Sequence, residues 1–501
     1  MNRVRFNVAA NIAGQVWSVL LAIICTPFFI KLLGIEGYAL IAFYAVLQAT
    51  LQLLDLGFAI TVNREVARLS PEASAVDIRE LGEFTATAER WYWILGCGTG
   101  IVMYFATPYI ADTWLNAENI PQEDLTDSAR LLGLVVCLQW PVSFYQSGLL
   151  GLQRQVRLNL ITIPFNALIN LGGVILLWLG PRSVTTLFAW QAVILLVQVT
   201  VMNVQFWRCV GVPRGTRFVS LATLKGKWRF SLGMGGMSIT GFILTNLDKL
   251  ILSRLLSLES FGQYSLAATL ARGLYVMITP VFNAYFPRFS ALAASSDKAV
   301  MRQCYHSAAQ VMSVLILPLA VTMGVYSPEI AFLWLQNSSI AKNVAPITSL
   351  LVIGTCLNGL MYIPFALQLA YGNTKIGLYI SLCLVAGLVP AMIFATFQYG
   401  TLGAAAMWGV INGLYLLVGL PITHKYLLPR QTGSWLRFDV LPPLAAAFVV
   451  AGIGRAMLFS DQSTVLMLIT IGSIWLLATI GAALSATQVR GTIRQLTGVR
   501  F

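Results

Sequence analysis

Charged side chains inside long apolar runs are the residues of this sequence that could do chemistry. Arg272 is the clearest of them: it lies about ten residues beyond Gly262, where its run begins, and at 1.5 Å per residue this is close to the middle of a bilayer. A charge at that depth costs about 2.5 to 3.5 kcal/mol, so it needs a partner or a ligand. Because the arginine fork suits anions, we expect Arg272 to bind an anionic substrate group. Lys249 and Arg64 are the candidate helpers.

Asp248 allows two interpretations. With Asn246, two residues before it, Asp248 could bind a coupling cation. It could equally form an ion pair with Lys249 or with Arg272, and the second pairing would make Arg272 a structural residue. The sequence leaves both interpretations open.

Asp55 is a third acidic residue in an apolar run. It stands in the sequence Leu53-Leu-Asp-Leu-Gly57 and is a further candidate for coupling an ion. The neighbouring glycine and the nearby Arg64 favour another interpretation, in which Asp55 holds a hydrogen-bonded corner of the chain.

Motifs for catalysis, a cofactor or a metal are missing from the sequence. His306 and His424 are far apart in the chain and lack neighbouring acids, and the sequence has no glycine-rich phosphate loop, HExxH pair or nucleophile elbow. The seven cysteines lie in or beside apolar runs without CxxC spacing, which indicates free thiols. We therefore expect a protein that is not an enzyme and that holds no cofactor and no metal.

Composition determines the elements that must position these residues. The 501 residues are 57% hydrophobic and 10% charged, with a mean hydropathy of +0.77, which predicts an all-α polytopic membrane protein. About 20 apolar residues are needed for each span, and about 14 such runs can be placed. Their centres lie near residues 20, 50, 99, 141, 169, 196, 242, 273, 315, 357, 386, 413, 448 and 475.

The positive charges predict the orientation. Loops on one side hold twenty-four Lys and Arg residues and loops on the other side hold six, which places both termini in the cytoplasm. The loop between Asp112 and Asp127 is acidic and is predicted to lie outside. Pro71 to Arg90 alternates acids with apolar residues, which predicts a short amphipathic helix on the inner face. Nucleic acid is not an expected partner, because the basic residues form no single patch.

Two short repeats divide the chain. Lys31-Leu-Leu-Gly-Ile-Glu36 recurs as Arg254-Leu-Leu-Ser-Leu-Glu259, and Gly151-x-x-Arg154 recurs as Gly372-x-x-Lys375 at nearly the same offset. Six spans separate the two copies of each repeat. Because an even number of spans returns the chain to the same side of the membrane, the halves are predicted to be parallel. The predicted domains are a first six-helix bundle (1–210), a basic cytoplasmic linker (211–230), a second six-helix bundle (231–426), an appended helix pair (438–486) and a cytoplasmic tail (487–501).

Several motifs resemble one known family. They are Leu53-Leu-Asp-Leu-Gly57 followed by Asn63-Arg64-Glu65 and Ala67, Asn246-x-Asp248 before Arg254-Leu-Leu, Gly262-x-Tyr264-Ser-x-Ala267, and Gly372-Asn-Thr-Lys375. Over nearly the whole chain their order is similar to that in the polysaccharide flippases of the multidrug/oligosaccharidyl-lipid/polysaccharide superfamily.

This resemblance implies a fold and a function. It implies two six-helix bundles around a central cavity, alternating access, and translocation of undecaprenyl-diphosphate-linked oligosaccharide repeat units, of O-antigen or exopolysaccharide, across the bacterial inner membrane. Arg272 would then hold the diphosphate or an acidic sugar while the prenyl tail stays in lipid. Membrane lipids would surround the protein, and a polysaccharide polymerase with its chain-length machinery would be a possible partner.

Two other functions are compatible with the span pattern. A cation-coupled multidrug exporter of the same superfamily would share the fold, and the acidic residues Asp55 and Asp248 suit it better than the basic Arg272 does. A membrane-embedded polymerase or glycosyltransferase would need catalytic residues in a large outer loop. The longest outer loop here has about twenty residues, which disfavours that enzyme.

Overall fold

The structure, a computed structural model, describes residues 2–55, 57–68, 75–213, 246–295, 297–372, 374–456 and 463–491. Every regular element in these ranges is helical. In chain order the numbered helices are α1 (Asn2–Leu51), α2 (Phe58–Arg68), α3 (Ala75–Tyr109), α4 (Gln122–Gly151), α5 (Gln155–Ala167), α6 (Gly173–Leu179), α7 (Val184–Val210), α8 (Leu258–Arg272), α9 (Tyr275–Ser295), α10 (Lys298–Val325), α11 (Ser327–Leu335), α12 (Ser338–Ala370), α13 (Thr374–Leu427), α14 (Thr432–Ser434), α15 (Leu441–Ala456) and α16 (Thr464–Ser485). Residues 246–255 are also helical.

The helices confirm the all-α membrane plan. Nine of the described helices are long and apolar enough to cross a membrane, and the bent pair α8 and α9 makes a tenth. Every predicted span centre falls in a described helix or at that bend, except the centre near 242, which lies outside the described residues. The count of fourteen stays a prediction.

Two glycines split long helices into pairs of spans. Gly34 interrupts α1 with φ 75°, and Gly400 interrupts α13 with φ 59°. A side chain is strained at such positive φ values, so glycine is the residue that allows each turn. In both helices the break lies between two predicted span centres, so each long helix contains the residues of two predicted spans.

The chain forms two compact units, 1–262 and 263–501. In the first unit, the packing of α3, α4 and α7 centres on aromatic rings. Tyr92, Phe144 and Phe206 are all fully buried, with Phe144 centred 5.6 Å from Tyr92 and 5.2 Å from Phe206. A Cβ atom at Gly148 would lie 2.4 Å from the Phe206 ring, so this glycine permits the close approach of α4 and α7.

In the second unit, the predicted appended pair corresponds to α15 and α16, which pack on α10. Their core joins Val321 and Tyr326 to Ala447, Ala451 and Ile474, and the Tyr326 hydroxyl donates to the Ala451 carbonyl at 2.7 Å. The exposed residues of α16 are mostly aliphatic, as a surface in contact with lipid chains should be, apart from Thr464 and Ser473. The exposed aliphatic residues include Val465, Leu466, Leu468, Ile469, Leu476, Leu477 and Ile480.

The prediction of a separate amphipathic helix from Pro71 to Arg90 is wrong. α3 runs without interruption from Ala75 to Tyr109, and its first turns are buried at Leu81, Phe84 and Ala88. The alternating charges are paired instead of lying on a membrane surface. Arg68 bonds Glu80 at 2.8 Å and Arg79 bonds Glu83 at 3.0 Å, so the charged segment simply lengthens the third span.

The predicted domain boundaries stay predictions. Most of the basic linker at 211–230, the glycine-rich opening Gly233-Met-Gly-Gly236 of the second bundle, and the tail from 492 onward lie outside the described residues.

Candidate functional site

Arg272 ends α8 at a bend in the membrane-spanning region. α8 and α9 meet at 41°, and Gly273 and Leu274 form the turn between them. Backbone N–H groups in the turn donate to carbonyls three residues earlier. Gly273 N–H donates to Leu270 O at 2.9 Å, and Met277 N–H donates to Leu274 O at 3.0 Å. A cation is favoured at a helix C-terminus, where the backbone dipoles present negative charge. The predicted eighth span is therefore two helices, and its predicted anion-binding residue lies at their junction.

The exposed positions of α9 include polar residues among apolar ones. Thr279, Asn283 and Arg288 are exposed, as are Val276, Pro280, Ala284 and Pro287, whereas Ile278 and Phe289 are fully buried. Arg272 is exposed as well. Polar groups within a span normally face water, protein or a ligand and not hydrocarbon. Arg272 at the bend, with Thr279 and Asn283 one turn apart on α9, is the best candidate for a substrate-binding surface.

A chain of hydrogen bonds fixes the start of α9 beside Arg272. The Tyr275 hydroxyl donates to Asn358 Oδ1 at 2.9 Å, and Asn358 Nδ2 donates to Asn412 Oδ1 at 2.8 Å. Asn412 is 3% exposed, and its Nδ2 donates to the Trp408 carbonyl at 2.9 Å. The chain joins α9, α12 and α13. Tyr275 is also an electrostatic neighbour of Arg272, so the first turn of α9 has a fixed orientation next to the candidate anion site.

The sequence analysis missed Asn358 and Asn412. Both are uncharged and stand singly in apolar runs, so a search for charged residues passes over them. A search for side-chain amides within spans would have found them, because such amides need a partner in the membrane.

Lys249 and Asp248 are adjacent in sequence and paired in space. Lys249 Nζ lies 3.7 Å from Asp248 Oδ1, and Lys249 is only 8% exposed. The pairing of Asp248 with Lys249, one of the interpretations left open by the sequence, is therefore present. Asn246 belongs to the same described helical stretch, residues 246–255. Lys249 would have to leave this ion pair to reach a substrate.

Asp55 caps α2. Its Oδ2 accepts the Ala59 N–H at 2.9 Å and its Oδ1 accepts the Tyr92 hydroxyl, while Gly57 turns the chain with φ 76°. This arrangement agrees with the interpretation of Asp55 as a hydrogen-bonded corner. Arg64 lies on the exposed face of α2, within the same unit.

The acidic loop after α3 forms hydrogen bonds with both copies of the repeated hexapeptide. Glu36 is 4% exposed, and its carboxylate accepts the N–H groups of Glu118 at 3.2 Å and Asn119 at 2.9 Å. Asn116 Nδ2 donates to the Arg254 carbonyl at 3.4 Å, and the Asn116 carbonyl accepts Leu258 N–H at 2.9 Å. Both hexapeptides therefore lie at the same end of the first unit.

The two histidines, distant in sequence, belong to adjacent parts of a buried polar cluster. His306 Nδ1 lies 2.5 Å from Asp439 Oδ2, and His306 Nε2 lies 2.9 Å from Gln431 Oε1. His424 Nε2 lies 2.8 Å from the Tyr305 hydroxyl. Within the described ranges there is no group of three His, Cys, Asp or Glu residues that could hold a metal ion.

Comparisons with known proteins identify the family and the fold. Residues 4–293 match the sequence model of a family described as polysaccharide biosynthesis protein. The "Putative O-antigen transporter" of Shigella flexneri is 21% identical over 403 residues, which cover 80% of this chain and 93% of that protein.

Solved structures show the same fold at low identity. A lipid II flippase MurJ in an inward closed conformation superposes with a TM-score of 0.73 at 14% identity, covering 96% of this chain and 99% of that one. An inward-facing multidrug resistance transporter of the MATE family and the MOP superfamily gives 0.67 at 14% identity, covering 81% and 95%.

Proposed function

This chain belongs to the polysaccharide biosynthesis protein family, and we propose that it is a flippase for undecaprenyl-diphosphate-linked oligosaccharide repeat units. The protein would move these units across the bacterial inner membrane by alternating access. The observation that carries the proposal is the exposed Arg272 at the bend between α8 and α9, followed on α9 by the exposed polar residues Thr279 and Asn283. The similarity to the Shigella flexneri transporter supports the choice of a lipid-linked sugar.

Arg272 suits the diphosphate for physical reasons. Its planar fork can form two parallel hydrogen bonds to phosphate oxygens, and such charge-assisted bonds are about twice as strong as neutral ones. Lys249 and Arg64 are the proposed helpers, and Lys249 would exchange Asp248 for the phosphate. The prenyl tail needs no protein groups, because it stays in the hydrocarbon of the bilayer.

Coupling to an ion is a separate part of the proposal. Asp248 with Asn246 is the better candidate, since a cation could replace the Lys249 ammonium when that side chain turns to substrate. Asp55 is the weaker candidate, because its carboxylate already caps α2 and accepts the Tyr92 hydroxyl.

Deletion of the gene from its source bacterium tests the transported cargo. We expect lipid-linked repeat units to accumulate with their sugars on the cytoplasmic side, where external glycosidases cannot reach them in intact spheroplasts. Expression of the wild-type chain should clear them. A strain that shows no accumulation and becomes sensitive to cationic drugs would instead identify a multidrug exporter, since a solved multidrug transporter shares this fold.

The proposed orientation, with both termini in the cytoplasm, is tested by cysteine labelling. Glu123→Cys lies on the acidic loop side and Arg157→Cys on the basic loop side, and both positions are exposed. In a background without the seven natural cysteines, we expect a membrane-impermeant maleimide added to whole cells to label position 123 and not position 157. Labelling of 157 alone would reverse the assigned sides. Permeabilised cells, in which both positions should react, provide the control.

A further inference from the structure

We propose that four aromatic rings beside Arg272 form the surface on which the sugar part of the substrate stacks, an inference that rests on the proposed flippase function. The rings are Phe282 and Phe286 of α9 with Tyr362 and Phe365 of α12, and together we call them the aromatic platform. All four rings are partly exposed, whereas other side chains of both helices are fully buried. The proposed function accounts for Arg272 and leaves these rings without a role.

The platform has a defined geometry. Phe282 and Phe286 are nearly parallel, at 7° with centroids 5.7 Å apart, and Phe282 and Phe365 are within 20° at 6.5 Å. The Tyr362 ring stands at 82° to Phe282, with centroids 5.7 Å apart. Three nearly parallel rings, with a fourth standing at a steep angle to Phe282, form a partly exposed apolar cluster that is held by its own ring contacts.

Polar groups border the platform on the same helix. Tyr275, Thr279, Phe282 and Phe286 are spaced i, i+4, i+7 and i+11, so they share one face of α9. Asn283 lies one turn beyond Thr279, and both are exposed. An amide and a hydroxyl therefore stand next to the exposed rings.

This mixture matches a sugar better than a prenyl chain. A pyranose ring has C–H groups on its faces, which bury well against aromatic rings, and hydroxyls around its rim, which need partners such as Asn283 and Thr279. A prenyl chain would leave those two polar groups unpaired. The surface of this protein that suits hydrocarbon is the aliphatic face of α16, which has neither rings of this arrangement nor amides.

The spacing from Arg272 suits a diphosphate-linked sugar. Phe282 is ten residues beyond Arg272, about 15 Å along the helix path. With the diphosphate held at Arg272, the first few sugar rings would extend over the platform. The platform is thus proposed to bind the saccharide, and Arg272 the diphosphate common to all such carriers.

Binding to two probes tests this division of roles. The full-length protein in lipid nanodiscs would be titrated with bare undecaprenyl diphosphate and with the lipid-linked oligosaccharide pool extracted from the deletion strain. The double variant Phe282→Leu with Phe286→Leu keeps apolar volume and removes the ring faces. We expect it to bind the oligosaccharide pool about tenfold more weakly and bare undecaprenyl diphosphate as the wild type does.

The controls separate this inference from the proposed function. Phe397→Leu, at a 69% exposed phenylalanine outside the platform, should change neither affinity, and equal unfolding midpoints would show that the variants are folded. Unchanged affinity for both probes in the double variant, or equal loss for both, would contradict the sugar-binding role and leave the flippase function standing. A wild-type protein that binds neither probe would overturn the proposed function itself.

Discussion

Arg272→Ala should lose most of the transport of lipid-linked repeat units while the protein is inserted at normal abundance. A hydrogen bond to a charged group is worth about 1.5 to 3 kcal/mol, which corresponds to about 10- to 100-fold in affinity. Arg272→Lys keeps the charge and loses the planar fork, so it should retain part of the activity. Transport is measured in proteoliposomes by the rate at which the labelled oligosaccharide becomes accessible on the far side.

The competing interpretation from the sequence makes Arg272 a structural partner of Asp248, whereas in the structure Arg272 is exposed and Asp248 Oδ1 lies 3.7 Å from Lys249 Nζ. If that explanation holds, Arg272→Ala leaves a carboxylate unpaired and reduces protein abundance, and adding Asp248→Asn should restore abundance and transport together. Such a rescue would contradict the anion-binding role of Arg272. Arg130→Ala is the matched control, because Arg130 is half exposed and pairs with the exposed Asp127. A surface pair of that kind contributes little, so this variant should transport normally.

Much of the fold could be predicted from the sequence, because the hydrocarbon of a bilayer imposes simple rules. A run of apolar residues must be helical to satisfy its backbone, and span centres could therefore be placed from hydropathy alone. Hydropathy could not predict the bend at Gly273 or the interruptions of α1 at Gly34 and of α13 at Gly400. They depend on local φ and ψ values that a hydropathy profile does not contain.

The site was predicted only in part, because a charge in a span shows the need for a partner and not its identity. The sequence singled out Arg272, but it could not show that Tyr275, Asn358 and Asn412 are linked beside it. Glu89 was missed altogether: its carboxylate accepts from Asn203 Nδ2 at 2.7 Å and from Trp207 Nε1 at 3.2 Å. Such contacts join residues more than a hundred positions apart, and no local pattern encodes them.

The polar cluster around Asp439 also joins residues that are distant in sequence, so no local sequence pattern predicts it. Asp439 follows the last predicted span of the second bundle, and its side chain is 1% exposed. Besides His306 it binds Gln310, whose Nε2 donates to Asp439 Oδ1 at 2.9 Å and whose Oε1 accepts the Gln488 N–H at 2.7 Å. The cluster therefore links α10 to residues on both sides of the appended helix pair, one before α15 and one after α16.

Asp439→Ala should strongly destabilise the second unit. Removing one partner of a buried ion pair typically costs about 3 to 5 kcal/mol, because the other partner and its neighbours are left without bonds in a low-dielectric environment. We expect low abundance and a clearly lower unfolding midpoint in detergent, with α15 and α16 becoming sensitive to protease before the rest of the chain. Asp127→Ala, at an exposed acid in a surface pair, is the matched control and should change neither property.

Two further variants distinguish the ion pair from simple burial of polar groups. Asp439→Asn keeps a hydrogen-bonding side chain but removes the negative charge opposite His306, so its unfolding midpoint should fall between those of the wild type and Asp439→Ala. Adding His306→Gln to Asp439→Asn exchanges the ion pair for two amides, which can bond each other without charge. This double variant should recover most of the lost stability if the cost in Asp439→Asn comes from an uncompensated histidine. A double variant less stable than Asp439→Asn would show instead that His306 stabilises the appended pair through Gln431 and not through Asp439.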